Sequence, residues 1–186
     1  MIEDMGHATP HPPVLLVLAA VSRYEQALHW AAEQAARAWG PIADRSEAFA
    51  FTETDYYQAT MGSELRKQFL TFEQPMSPER LVDVKLQTNA WEEEYARAAG
   101  HPEPRPLNLD PGYLTTAKLV LASTKDHSHR IYLGRGIYAE VTLYYRGGRW
   151  QPREWTYPDY RRDDFQAFFT RVRDGWQRRA REVGAR

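Results

Sequence analysis

Residues 14–21, Val-Leu-Leu-Val-Leu-Ala-Ala-Val, constrain this chain more than any other feature. Glu3 and Asp4 precede the run where a secretory leader would carry basic residues, and Pro10, Pro12 and Pro13 crowd its start. A membrane span needs about 20 apolar residues, and this run is far shorter. It therefore reads as a strand buried on both faces, and the fold must be built around it. The His- and Pro-rich residues 1–12 read as a flexible leader, and residues 13–183 as one α+β domain. A chain of 186 residues can bury about 70% of the surface it exposes when unfolded, so no metal or disulfide is needed to hold it.

Periodicity supplies the neighbours of that strand. Ser22 and Glu25 have the spacing of a capping box, opening a helix with Tyr24, Ala27, Leu28, Ala31, Ala35 and Ala38 on one face. Gly40 stops it. Phe49 and Phe51 alternate with smaller residues in a strand over 47–52, and residues 65–72 read as a third strand, although Leu65, Phe69 and Phe72 also suit a helix face. Ser77 and Pro78 open a second helix, whose buried face is Leu81, Val84, Thr88, Trp91 and Tyr95. Gly100 ends it, and residues 107–109 make a short strand after a proline-rich connector. The order strand, helix, strand, strand, helix, strand is that of a ferredoxin-like βαββαβ core, an antiparallel sheet with helices on one face. Asp110-Pro111-Gly112 reads as a turn or a helix start, and residues 113–123 suit either helix or strand. Residues 130–133 and 137–145 form a hairpin around Gly134-Arg135-Gly136. A C-terminal helix begins at Asp163, with Gln166 completing a second capping box and Phe165, Phe168, Val172, Trp176 and Val183 as its apolar stripe.

Several chemistries are excluded. The chain has no cysteine, so it has no disulfide, thiolate zinc site, iron–sulfur cluster or cysteine nucleophile. A net charge of −1 disfavours nucleic acid as partner, because neutralising many phosphates takes a positive excess. With no spanning segment, no membrane association is expected and the expected location is the cytoplasm. The phosphate-cradling patterns Gly-x-x-x-x-Gly-Lys-Ser/Thr and Gly-x-Gly-x-x-Gly are missing, as are Gly-x-Ser-x-Gly and His-Glu-x-x-His. No cofactor and no oligomeric state can be named from the residues.

The densest polar set is Lys118, Ser123, Thr124, Lys125, Asp126, Ser128, His129 and Arg130, lying between two apolar runs. Loops delivered by a rigid scaffold are where ligand contacts concentrate. Lysine offers an anion a point charge and arginine a planar fork, so this set suits a phosphorylated or nucleotide-like ligand. Histidine exchanges protons near neutral pH, which makes His129 the first candidate for general acid or base. Glu140 is the second catalytic candidate. On a buried strand face its carboxylate needs a cation, and Lys118 or Arg130 can supply one. Asp110 is the third, unless it merely caps a helix. Asp55, Tyr57 and Tyr113 complete the expected ligand contacts, with tyrosine rings able to stack on a base or sugar. Two alternatives compete. A metal-dependent hydrolase would use Asp110, Asp126, His129 and Glu140, although no ligand spacing enforces it. A non-catalytic RNA- or protein-binding module would use the C-terminal arginines Arg171, Arg173, Arg178, Arg179 and Arg181.

The phrases Thr54-Asp55-Tyr56-Tyr57, Met61-Gly62, Asn108-Leu109-Asp110-Pro111-Gly112-Tyr113, Lys118-Leu119-Val120-Leu121-Ala122-Ser123-Thr124-Lys125-Asp126, Ser128-His129-Arg130-Ile131-Tyr132-Leu133-Gly134, Gly136-Ile137-Tyr138-Ala139-Glu140-Val141-Thr142-Leu143 and Trp155-Thr156-Tyr157-Pro158-Asp159-Tyr160 occur in that order. Together they resemble the bacterial family known as domain of unknown function 4416, over about residues 13–179. Members are sometimes labelled GTP-binding proteins. The resemblance implies a site in the second half of the chain and carries over no catalytic residues, and without a phosphate loop the label supplies no mechanism.

Overall fold

The computed structural model describes residues 7–54 and 56–184, with side chains to residue 179. Asp55, residues 1–6 of the expected leader, and the side chains of Arg181 and Val183 lie outside the described residues. The elements are β1 (Leu15–Ser22), α1 (Glu25–Trp39), β2 (Ile42–Arg45), β3 (Phe49–Ala50), α2 (Gln58–Met61), β4 (Arg66–Phe72), α3 (Leu81–Ala98), β5 (Asn108–Leu114), β6 (Lys118–Ser123), β7 (Ile131–Gly134), β8 (Ile137–Arg146), β9 (Arg149–Pro152) and α4 (Asp163–Gly184). Single 3₁₀ turns, Pro78–Arg80 and Pro158–Arg161, precede α3 and α4. The nine strands form one antiparallel sheet in the order β2–β4–β1–β5–β6–β8–β7, with β3 paired to β4 and β9 to β8. No helix among the described residues is long and apolar enough to cross a membrane.

The apolar run is β1, buried along its whole length. Alternation sends Leu16, Leu18 and Ala20 to one face, where they meet Ala27, Ala31 and Ala35 of α1 and Leu81, Val84 and Trp91 of α3. Leu15, Val17 and Ala19 point the other way, against Phe165, Phe168, Phe169 and Val172 of α4. Helices thus cover both faces of the sheet. Phe69 of β4 anchors the second layer, with ring centroids 4.8 Å from Phe165 and 4.9 Å from Phe169. Each such ring or branched side chain withdrawn from water contributes about 1.5–3 kcal/mol.

Local signals misplace several boundaries. Ser22 is no helix cap. It ends β1, donating its hydroxyl to the Pro106 carbonyl at 2.6 Å and accepting the Tyr24 N–H at 3.0 Å. Asp163 and Gln166 form no capping box either: Asp164 accepts the Phe165 N–H at 2.8 Å, and the Gln166 side-chain amide donates to the Tyr160 carbonyl at 3.3 Å. The strand expected over 47–52 shrinks to two residues, and β2, part-exposed at the sheet edge, precedes it. Asp110-Pro111-Gly112 is neither turn nor helix start but the middle of β5.

That last difference shapes the molecule. At Gly112 an added Cβ would lie 2.1 Å from the Val120 carbonyl oxygen, so β5 and β6 approach here as only glycine allows. Pairing runs from Leu114↔Leu119 to Gly112↔Leu121 and stops. By strand parity the next hydrogen-bonded rung would need an N–H from Pro111, which has none. Beyond it β5 and β6 part, and the unpaired Leu109 is satisfied by side chains instead. Its N–H donates to Glu92 at 2.7 Å, and its carbonyl accepts from Lys85 Nζ at 2.8 Å, both from α3.

Candidate functional site

The fork between β5 and β6 opens a cleft of about 720 Å³, within the size range of small-molecule sites. One wall grows from α3 and β5. Arg105 holds Glu92 through Nη2 at 2.8 Å and Nε at 3.1 Å, and also reaches Asn108 Oδ1. The Asn108 amide donates to Asp110 at 2.7 Å, and Lys85 Nζ stands 3.6 Å from the same carboxylate. Burial pushes the Asp110 carboxyl up, but Lys85, Lys67, the Asn108 amide and Arg105 outweigh it and hold it below the usual range. Burial raises Glu92 in spite of Lys85, Arg105 and the Leu109 N–H.

The opposite wall comes from β6, β8 and the loop between β6 and β7. Arg130 donates through Nε to Glu140 at 2.8 Å, and through Nη1 and Nη2 to Ser123 Oγ and Tyr157 Oη, each at 2.7 Å. Its Nη1 also reaches the Lys125 carbonyl at 2.9 Å, closing the loop on itself. His129 Nε2 lies 3.0 Å from the same Glu140 oxygen. The His129 ring is stacked between His127 and Trp155, at 5.7 and 5.2 Å. Side-chain exposures of 3% and 2% make Arg130–Glu140 a buried ion pair. A second buried pair, Lys67–Asp159, joins β4 to the turn before α4. Lys67 Nζ also sits 4.5 Å from the centre of the Phe51 ring and 4.8 Å from that of Tyr160, a cation–π arrangement that offsets lost hydration.

Tyrosines and two cations make the mouth. Lys125 Nζ hydrogen-bonds the Tyr56 hydroxyl and lies 4.5 Å from its ring centre. That bond, with the charge of Lys125 and then of Arg105, holds the Tyr56 phenol below the ordinary tyrosine range. Burial raises Tyr57, and the nearby Asp110 adds to it. Burial likewise raises Tyr157.

The chain belongs to the family described as Domain of unknown function (DUF4416). The family model matches residues 12–176, which takes in every strand and both walls of the cleft. No curated protein and no solved structure matches the chain.

Of the residues singled out from sequence in this family member, Asp110, Glu140, Tyr57, Thr124, Lys125 and Arg130 line the cleft. His129 stands behind Glu140. Lys118 does not join them. It pairs with Tyr144 at the far end of β6, about 16 Å along the strand from Ser123 at ~3.3 Å per residue. Tyr113 packs on the core face that α1 and α3 cover. Asp126 and Ser128 are exposed and do not line the cleft. Asp55 lies outside the described residues. The four-residue metal set does not assemble: Asp110 pairs with Lys85 and Asn108, His129 with Glu140, and Asp126 points elsewhere. Among the described residues no three His, Asp or Glu are placed to hold a metal ion. Arg173 is occupied too, its guanidinium 3.6 Å from the Tyr145 ring centre and bonded to the Thr116 carbonyl at 2.6 Å.

Lys67, Lys85, Glu92 and Arg105 are cleft residues that sequence reasoning missed, while Asn108 and Asp159 entered only within the family phrases, with no role assigned. Two left a signal. Lys67 falls in the 65–72 strand at the alternation of Leu65 and Phe69, and Lys85 on the helix face that carries Leu81, Thr88 and Trp91. A lysine on a buried face needs a partner and a reason. Arg105 left none, because a proline-rich connector gives no periodicity from which to infer direction.

Proposed function

We propose that the cleft binds a small metabolite bearing an anionic group, phosphorylated or nucleotide-like, with Glu140 and His129 as its acid–base pair. One observation carries this reading: Lys67, Lys85, Arg105, Lys125 and Arg130, from four separate segments, all line one cleft with tyrosine hydroxyls among them. The depressed Tyr56 phenol supports it, because the positive field that favours a phenolate favours any anion at the mouth. His129 reaches the cleft through Glu140, so a proton gained or lost by a bound ligand at Glu140 has a route to the partly exposed imidazole. The strand order β2–β4–β1–β5, with α1 and α3 on one face, supports reading the first half as a ferredoxin-like core. On that reading β6 to β9 and α4 are additions, and the cleft lies at the junction.

A thermal-shift panel of nucleotides and phosphorylated metabolites tests the proposal. The expected result is stabilisation by at least one phosphorylated compound, lost in Arg105→Ala and Lys125→Ala. A panel in which no anion shifts the melting temperature would overturn it.

A further inference from the structure

The charges in the cleft are not equivalent. Lys67, Lys85 and Arg130 are buried, and each is engaged: Lys67 by Asp159, Lys85 by the Leu109 carbonyl, Arg130 by Glu140. Arg105 and Lys125 stand at the mouth, the Arg105 side chain 40% exposed. Among the described residues, Arg105 Nη1 carries no hydrogen bond and Lys125 Nζ donates only to Tyr56.

The floor has the opposite character. Asp110 is 30% exposed, and its surroundings keep it ionised. Its Oδ2 accepts from Asn108, while Oδ1 has only Lys85 at 3.6 Å, beyond hydrogen-bond length. An ionised carboxylate accepts up to about four hydrogen bonds, so Asp110 has acceptor capacity facing the cleft. A phosphate there would be repelled by it. An ammonium there would meet Lys85 and Lys67. Neutral hydroxyl donors satisfy both conditions, and the two oxygens of one carboxylate match two hydroxyls on adjacent carbons.

We propose that the occupant is a sugar phosphate of the ribosyl type, with its phosphate between Arg105 and Lys125 and a vicinal diol on Asp110. This rests on reading the cleft as an anion site and adds orientation and substrate class to it. The mouth supplies donors to the phosphate oxygens, the floor supplies the acceptor, and the ligand enters hydroxyl end first.

Calorimetric titration of the full chain with D-ribose 5-phosphate, 2-deoxy-D-ribose 5-phosphate and inorganic phosphate tests it. The ribose ester is expected to bind at least tenfold more tightly than the deoxy ester. Asp110→Asn is expected to bring that ratio below tenfold while leaving inorganic phosphate bound at least as tightly. A ratio below tenfold in the native chain overturns the diol assignment and leaves the anion site standing, and needs no variant to fold. A ratio above tenfold that survives in Asp110→Asn also overturns it. Failure of all three compounds to bind overturns this assignment, and with it the anion site if the wider panel is also silent.

Discussion

Glu140 shows how much one buried carboxylate asks of its neighbours. Arg130 and His129 share one of its oxygens, and Thr142 Oγ1 reaches the other at 3.4 Å. Arg130→Ala leaves that charge without its strongest partner, and removing one member of a buried pair costs about 3–5 kcal/mol. A urea titration should show a loss of that order. The double variant Arg130→Met/Glu140→Gln should recover part of it, because no unpaired charge remains. Asp110 behaves differently, through pH. Its folded pKa is depressed below the ordinary 3.8, so its contribution is present above that value and lost as pH falls through the folded pKa. Glu92 opposes it: a raised pKa contributes stability at low pH that is lost as pH rises through the folded value. Asp110→Asn should therefore flatten the acid limb below pH 3.8, read as urea midpoints across that range, with the native chain falling more steeply. At this scale the sequence was half legible. Arg130 was one of two cations expected beside Glu140, whereas Lys118, the other, lies at the wrong end of its strand.

Among the elements, β5 decides where the cleft is. Gly112 lets β5 touch β6, Pro111 prevents the next rung, and α3 completes the backbone hydrogen bonds of Leu109. Gly112→Ala would place a methyl group 2.1 Å from the Val120 carbonyl oxygen, which no flexible side chain can relieve. Overpacking of this kind costs about 1–3 kcal/mol or more. Circular dichroism melts should show Gly112→Ala strongly destabilised and Gly134→Ala far less so, since nothing lies within 4 Å of a Cβ at Gly134, although its φ of +127° adds strain. The same proline and glycine that stop the ladder are ordinary turn residues in a sequence. Propensity describes what a segment does alone, and a strand held by β1 on one side can carry Pro111-Gly112 through its middle.

For the whole molecule, a ligand held by both walls of the cleft would couple binding to folding, because both walls must be in place at once. A ligand at 100 times its Kd adds about 2.7 kcal/mol, and a chain this long shifts by about 2–4 °C per kcal/mol. A saturating ligand should therefore raise the melting temperature by roughly 5–10 °C, measurable by calorimetry. Residues 14–21 alone determined that a sheet would have a strand buried on both faces, because eight apolar residues in succession leave no face for water. The apolar stripe of α4 and the polar phrases from Asn108 to Tyr160 were legible too, although the stripe covers the second face of a sheet expected to carry helices on one face, and the phrases supply only part of the cleft lining. Only the tertiary structure decided which charges meet. Lys67, Lys85, Arg105, Arg130 and Glu140 are brought together by strand register and the fork at Pro111. Register joins residues far apart in the chain, and a charged side chain bears no mark of the partner that will face it across a sheet.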